Sequence, residues 1–266
     1  MKISVIGLGK LGLPLAATIA SKGFKVFGVD INKEVVDNLN LGWTNLVEPN
    51  LLDLIKKFKE SIEATTDIGK AVLNTDVSFI IIPTPSQKNG YFSLKYINKV
   101  IKEIARALKV KQSYHLVVIV STIMPGSMDK IKMLLEKTSG KKCVKDFGLC
   151  YNPEFIALGS VIYNLLNPDF ILIGESDKKA GDILQRFYGK YCDNRPKIAR
   201  MNFVNAELSK ISVNTFITTK ISYANMLSEI CEKLPGGDVD VVTQAIGLDS
   251  RIGRKYLKGG PAFGGP

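Results

Sequence analysis

The chain has one histidine and one tryptophan in 266 residues, and its four cysteines form no pattern. Cys143, Cys150, Cys192 and Cys231 are scattered, with no CxxC pair and no spacing that suits zinc, so no metal is expected. That usage predicts a reducing, cytoplasmic setting. The lone histidine, His115, stands at the entrance of an apolar strand, and no role is assigned to it. No apolar run reaches the roughly 18 residues that a membrane span needs, so no membrane partner is expected. After MKISVIGLG no small-residue cleavage site follows at the distance of a signal peptide, and the glycines account for that stretch. There is no internal repeat and no low-complexity segment. Acidic residues are in deficit, 25 against 36 Lys and Arg, for a net charge of +11. No arginine–aromatic strip accompanies the excess, so it does not point to nucleic acid. Segments such as IKKFKE and KKAGD read as solvated helix faces, and a basic surface suits small phosphorylated ligands.

What is present is a large core and a regular alternation. Apolar residues make up 45% of the chain, enough for one large or two smaller domains. KISVIG (2–7), KVFGVD (25–30), VSFIII (77–82), LVVIVS (116–121), FGLCY (147–151) and FILIG (170–174) read as strands. Continuous apolar runs, rather than alternation with polar residues, mean strands covered on both faces. Helical patterns separate them, in LGLPLAATIASKG, NLLDLIKKFKES, LKYINKVIKEIARAL and MDKIKMLLEKTS. The order implies an α/β fold with a doubly wound parallel sheet. From Asn202 to Leu234 there is no Pro or Gly, which predicts one helix of about 50 Å. PGG (235–237) ends it, and Asp238 is placed to cap a short helix after it. The expected division is a cofactor-binding domain over 1–200 and a central helical domain over 201–266. Apolar residues on more than one side of the long helix predict packing on the first domain and a homodimer through 202–234.

GLGKLG, the residues Gly7, Leu8, Gly9, Lys10, Leu11 and Gly12, fits G-x-G-x-x-G directly after a strand and at the start of a helix. In that context Gly7 makes the tight turn, Gly9 lets a pyrophosphate approach the backbone, and Gly12 lets helix and strand pack closely. Asp30 ends the second strand, where a carboxylate accepts from ribose hydroxyls and repels a 2′-phosphate, so NAD is expected rather than NADP. Thr84 and Pro85 in IPTPS and Ser121 and Thr122 in STIMPG sit just after strands, where hydroxyls either bond a ligand or make ordinary turns. Glu154, in YNPEF, is either a charge at a helix N-terminus or a catalytic acid. Lys210 and Asn214 stand at i and i+4 of the long helix and share a face. They either hold developing charge on a reacting oxygen or are a solvated Lys and a satisfied Asn. Arg251, in DSRIG, either grips a phosphate or carboxylate or pairs with a nearby acid.

The ordered phrases GLGKLGLP, VDIN, EPNL, IPTPS, STIMPGS, YNPEFIALGS, LNPDFILIG, AELSKISVNTF and DSRIGRKYLKGGPAFGG run the length of the chain. Together they resemble the UDP-glucose/GDP-mannose dehydrogenase family, the nucleotide-sugar 6-dehydrogenases. The resemblance implies a Rossmann-like NAD domain and oxidation of a sugar C6 alcohol to a carboxylate with two NAD and a cysteine nucleophile. A UDP-sugar is expected ahead of a GDP-sugar. It implies that Glu154 handles the hydrolytic water and that Thr122 lies near that water and the nicotinamide. Lys210 and Asn214 would stabilise oxyanions and position the reacting carbon. Phe155 belongs to the same substrate segment as Glu154. Arg251 would reach a substrate in the neighbouring subunit, and Tyr256 and Lys258 belong to the nucleotide-sugar loop. Ala157 and Leu158 stand where relatives often carry an acid, and Asn164 replaces an aspartate.

In the family the glycine-rich phrase is followed by the catalytic cysteine and a third, nucleotide-binding domain. The expectation is therefore a chain that binds NAD but lacks the thiol to finish the oxidation, with its terminal loop poorly ordered or held by a crystal or dimer contact. Two other readings stay open. One is a β-hydroxyacid or 6-phosphogluconate-type dehydrogenase, which needs no cysteine but is opposed by the NPEF phrase and the GPAFGG loop. The other is a non-enzymatic NAD-binding or assembly protein.

Overall fold

The computed structural model describes residues 1–156 and 159–262. Its chain divides into two compact units, Met1–Glu207 and Leu208–Pro266. The first is built on strands β1 (Lys2–Ile6), β2 (Lys25–Val29), β3 (Ile62–Thr65), β4 (Val77–Ile80), β5 (His115–Ile119), β6 (Phe147–Tyr151), β7 (Phe170–Glu175) and β8 (Lys197–Met201). They form one sheet in the order β3-β2-β1-β4-β5-β6-β7-β8. Its helices are α1 (Gly12–Ser21), α2 (Lys33–Leu41), α3 (Leu51–Lys57), α4 (Ile68–Asn74), α5 (Lys95–Val110), α6 (Ser127–Ser139), α7 (Val161–Leu166) and α8 (Lys178–Tyr191). Helix α9 (Phe203–Cys231) begins in this unit and runs on into the second, where α10 (Val239–Ile246) follows.

The apolar runs are strands because both of their faces are covered. Successive residues of β5 alternate between two cores. Leu116 and Val118 join α1, α3, α7 and α8 on one side, and Val117 and Ile119 join α4, α5 and α6 on the other. Phe203 and Ala206, the first turn of α9, complete the second core. At the far end of α9, Asp238 caps α10 by accepting from the amides of Asp240 and Val241.

The sheet departs from the fully parallel expectation at one place. Strands β1 to β6 are parallel, β7 pairs antiparallel with β6, and β8 follows β7 in parallel. The reason is the connection. A parallel return needs a helix that recrosses the whole sheet. Helix α7 has six residues, about 9 Å at 1.5 Å per residue, so the chain stays at the C-terminal edge and β7 starts there. The pairing Tyr151↔Gly174 and Cys150↔Glu175 sets Phe170, the start of β7, beyond the end of β6.

The opposite edge of the sheet holds a closed polar network. The His115 Nδ1–H donates to the Thr75 carbonyl at 3.0 Å, so its Nε2 accepts from the Ser78 hydroxyl at 2.8 Å. The Ser78 oxygen lies 2.6 Å from that of Ser4, and the Thr75 hydroxyl 3.2 Å from Ser4. Burial, and then the Lys111 ammonium nearby, push the imidazole down from 6.5 to about 3. His115 thus stays neutral in the fold while an unfolded chain takes up a proton below about pH 6.5, so stability falls as pH drops through that window. The expected result is a loss of about 2 kcal/mol between pH 7 and pH 5 that His115→Gln does not share. Urea unfolding at a series of pH values measures the difference in slope.

Candidate functional site

The candidate residues of the first unit stand along the C-terminal edge of the sheet. β1 is followed by Gly7, whose φ of +99° suits glycine. A side chain on Gly7 would meet the Ile81 carbonyl oxygen at 2.1 Å, and one on Gly12 would meet the Gly7 carbonyl oxygen at 1.8 Å. Both glycines are therefore required by close packing of α1 on β1 and β4. Nothing lies within 4 Å of where a Gly9 side chain would stand, so that space is open to a ligand. Gly9 and Lys10 are exposed, Leu11 is half-buried and Leu8 is buried. Leu11, at the N-terminus of α1, supplies no side-chain cap, and the first turn holds no acid. An uncapped helix start of positive polarity beside an open glycine suits a pyrophosphate.

Asp30 is held by its own neighbours. One carboxylate oxygen accepts from the Leu8 amide at 2.8 Å and the other from the Asn32 amide at 2.9 Å. The loop after β1 and the end of β2 are thereby locked together. Each oxygen keeps a lone pair for a ribose hydroxyl.

The two hydroxyl phrases resolve differently. Ser121 is a clip between strands: its oxygen accepts from the Ile82 amide at 2.9 Å and its hydroxyl donates to the Ile82 carbonyl at 2.7 Å. The Thr84 hydroxyl donates to the Thr122 carbonyl at 2.7 Å, and Pro85 is exposed beside it. The Thr122 hydroxyl has no hydrogen-bond partner among the described residues, and its side chain is half-exposed. Of these groups, it is the one left for a ligand.

Glu154 lies between two anchors on β7. Asn152, 1% exposed, donates from its own amide to Ile119 and from its side chain to the Leu172 carbonyl at 2.9 Å, and accepts from the Tyr188 hydroxyl. Phe155 packs on Phe170 with ring centroids 4.8 Å apart. Glu154 stands half-buried between them, close enough to Tyr188, Tyr191 and Cys192 to add to the effect of burial on all three. The sequence reading missed Asn152, although it belongs to the quoted NPEF phrase, because its partners, two backbone carbonyls and the Tyr188 hydroxyl, are distant in sequence. It also missed Glu207. That carboxylate is fully buried and accepts from the Gly126 and Met128 amides, both at 2.7 Å, which caps α6 from the first turns of α9. Desolvation holds its pKa above the ordinary carboxylate value in spite of these amides. A lone acid in the apolar start of AELSK was the available signal.

Three of the thiols are unsuited to nucleophilic work. Burial pushes Cys143 and Cys150 up, and burial with Glu154 and Asp193 pushes Cys192 up to about 12. Cys231 is the last residue of α9 and is half-buried.

In the second unit Lys210 is buried and Asn214 half-buried, one turn apart on α9. Arg251, 87% exposed at its side chain, pairs with Asp249 at 2.6 Å, the second of its two alternatives. An exposed pair of that kind is readily exchanged for another anion. Tyr256 and Lys258 are exposed on either side of buried Leu257. Tyr256 has φ +64°, rare for a bulky residue. Within its described part the loop is tied to Asn225 at Gly260. Phe263–Pro266, and the substituted positions Ala157 and Leu158, lie outside the described residues.

Residues 1–192 match the family model for the UDP-glucose/GDP-mannose dehydrogenase family, NAD binding domain, and residues 204–266 match the central domain of the same family. The chain is 38% identical over 270 residues to the GDP-mannose 6-dehydrogenase of Pseudomonas aeruginosa, covering 100% of this chain and 61% of that protein. It is 35% identical over 269 residues to a UDP-glucose 6-dehydrogenase of Haloferax volcanii, covering 100% and 62%. A crystal structure of a ternary complex of the Pseudomonas GDP-mannose dehydrogenase superposes with a TM-score of 0.89 at 36% identity, over 97% of this chain and 59% of that one. The chain thus spans about three-fifths of the length of the relatives it matches. The cofactor of the matched first domain is NAD.

If Asp30 receives the ribose, Asp30→Ala weakens NAD binding about 10- to 100-fold, the worth of a charged hydrogen bond. It also narrows the preference over NADP. Calorimetric titration with both cofactors reads both effects.

Proposed function

The chain belongs to the UDP-glucose/GDP-mannose dehydrogenase family, and from that premise we propose that it serves NAD-dependent oxidation of the C6 alcohol of a nucleotide-sugar to the uronic acid. The supporting observation within the first unit is the edge described above, with open Gly9, anchored Asp30 and Glu154 set between Asn152 and Phe155. The balance is one primary alcohol, one water and two oxidised cofactors giving one carboxylate, two reduced cofactors and three protons. Bound NAD supplies the hydride acceptor for each two-electron stage. The chain's own groups do the rest.

In this reading Asp30 orients the adenosine ribose, and the start of α1 offsets the pyrophosphate charge. The Thr122 hydroxyl faces the reacting end of the cofactor. The Lys210 ammonium stabilises an alkoxide as the alcohol loses its proton, which lowers the cost of releasing hydride. The Asn214 amide fixes the reacting oxygen, and Glu154 takes the proton from the water that completes the acid. Tyr256 and Lys258 contact the nucleotide-sugar, and Arg251 exchanges Asp249 for an anionic group of the substrate. A thioester stage calls for a reactive thiol, and Cys143, Cys150 and Cys192 are not assigned that part, since a buried thiol with a raised pKa is inert.

The NAD-loaded chain is expected to bind UDP-glucose or GDP-mannose in calorimetry and to ignore simple hydroxy acids. Cys143, Cys150 and Cys192 are expected to carry no thioester, judged by mass spectrometry of the chain incubated with NAD and the nucleotide-sugar. Binding of neither nucleotide-sugar overturns the reading, and a thioester on any of these three thiols overturns their exclusion.

A further inference from the structure

The loop that carries Arg251, Tyr256 and Lys258 is held by two residues of α9 to which no part has been given so far. The Lys220 ammonium donates to the Ile252 carbonyl at 3.1 Å and the Gly253 carbonyl at 2.9 Å. The Asn225 side chain meets a single peptide residue twice. Its oxygen accepts from the Gly260 amide at 2.8 Å, and its nitrogen donates to the Gly260 carbonyl at 2.9 Å. Only one orientation of the amide satisfies both bonds, so the side chain reads the backbone of Gly260 as a neighbouring strand would.

These contacts bracket a strained stretch. Gly253 has φ +68° and Tyr256 has φ +64°. A bulky residue stays in the left-handed region only where its surroundings over-determine the conformation. The surroundings here are Lys220 at one end, Asn225 at the other and Leu257, 6% exposed, in between. Along α9, Lys220 and Asn225 are five residues apart, about 7.5 Å in rise and roughly 140° in rotation. The loop is therefore gripped from two sides of the helix and cannot pivot about a single attachment. Between the grips, Tyr256 and Lys258 point outward while Leu257 points in.

We infer that Lys220 and Asn225 are positioning residues for the nucleotide-sugar loop: they hold Tyr256 and Lys258 in the conformation that receives the substrate. This rests on the function proposed above for its ligand, but not for its mechanics. Lys220 serves here as a backbone clamp, since its ammonium is already engaged by two carbonyls.

The test compares Asn225→Ala, Lys220→Met and Lys220→Arg with the wild type in the full chain. Amide hydrogen exchange follows residues 251–262, and calorimetry follows UDP-glucose, GDP-mannose and NAD. Asn225→Ala and Lys220→Met should exchange at least about tenfold faster in the loop and bind the nucleotide-sugar about tenfold more weakly, with NAD affinity unchanged. Lys220→Arg, which can still donate to both carbonyls, should restore both properties. Unchanged exchange in Asn225→Ala and Lys220→Met overturns the clamp. Faster exchange with unchanged nucleotide-sugar affinity overturns the positioning role. If the wild type binds neither nucleotide-sugar yet the variants exchange faster, the proposed function fails and the clamp stands. Loss of NAD binding in the variants would mark general unfolding and overturn the local role.

Discussion

Asn152 sits where the sheet changes direction, and much of the first unit depends on what it holds. Six strands run one way and two the other, so at this point a ladder of backbone bonds gives out after two residue pairs. A chain leaving β6 has no further strand to follow. Asn152 replaces the missing ladder with its own bonds to Ile119, Leu172 and Tyr188. Every one of these is made where water is absent, which raises the cost of losing any single partner. The consequence is local order at Pro153 and Glu154 without secondary structure. An acid on a free loop would sample many positions; this one is fixed by a buried amide before it and an aromatic contact after it.

The same device recurs with carboxylates. Asp30 and Glu207 both accept two backbone amides, and both do so at the ends of elements where amides would otherwise go unpaired. Their surroundings separate their uses. Asp30 is half-exposed at the lip of the open glycine turn, so its remaining lone pairs can serve a ligand. Glu207 is sealed off, and its whole capacity goes into joining the start of α6 to the start of α9. Two acids with nearly equal hydrogen-bond counts thus differ in what they are free to do, and burial decides which is which.

Six strands were legible as apolar runs because burial on both faces leaves no room for polar residues. The two that were not legible, β3 and β8, are the two edges of the sheet. An edge strand has one open side and can carry Glu63, Lys197 or Arg200, the last of which pairs with Glu175 and Asp182. The reversal at β7 was hidden for another reason. Strand composition reports burial, and direction is set by the reach of the connection. The glycine turn and Asp30 were readable because their chemistry is local, within one β-α-β unit. Asn152, Glu207, Lys220 and Asn225 were not, since each answers backbone groups far along the chain, and backbone groups leave no mark in a sequence.

That last point bears on how α9 is used. Its residues fall into two kinds by partner. Lys210 and Asn214 carry side chains whose chemistry suits a reacting oxygen, whereas Lys220 and Asn225, of the same residue types, are engaged by carbonyls and an amide of one loop. Residue type alone would assign all four the same role. Asn214 and Asn225, eleven residues apart, even share a face of the helix to within about 20°. What marks Lys220 and Asn225 is that their partners are backbone groups of one loop. An amide that is paired through both its atoms with one peptide residue fixes that residue, and its contribution to binding passes through the loop it holds.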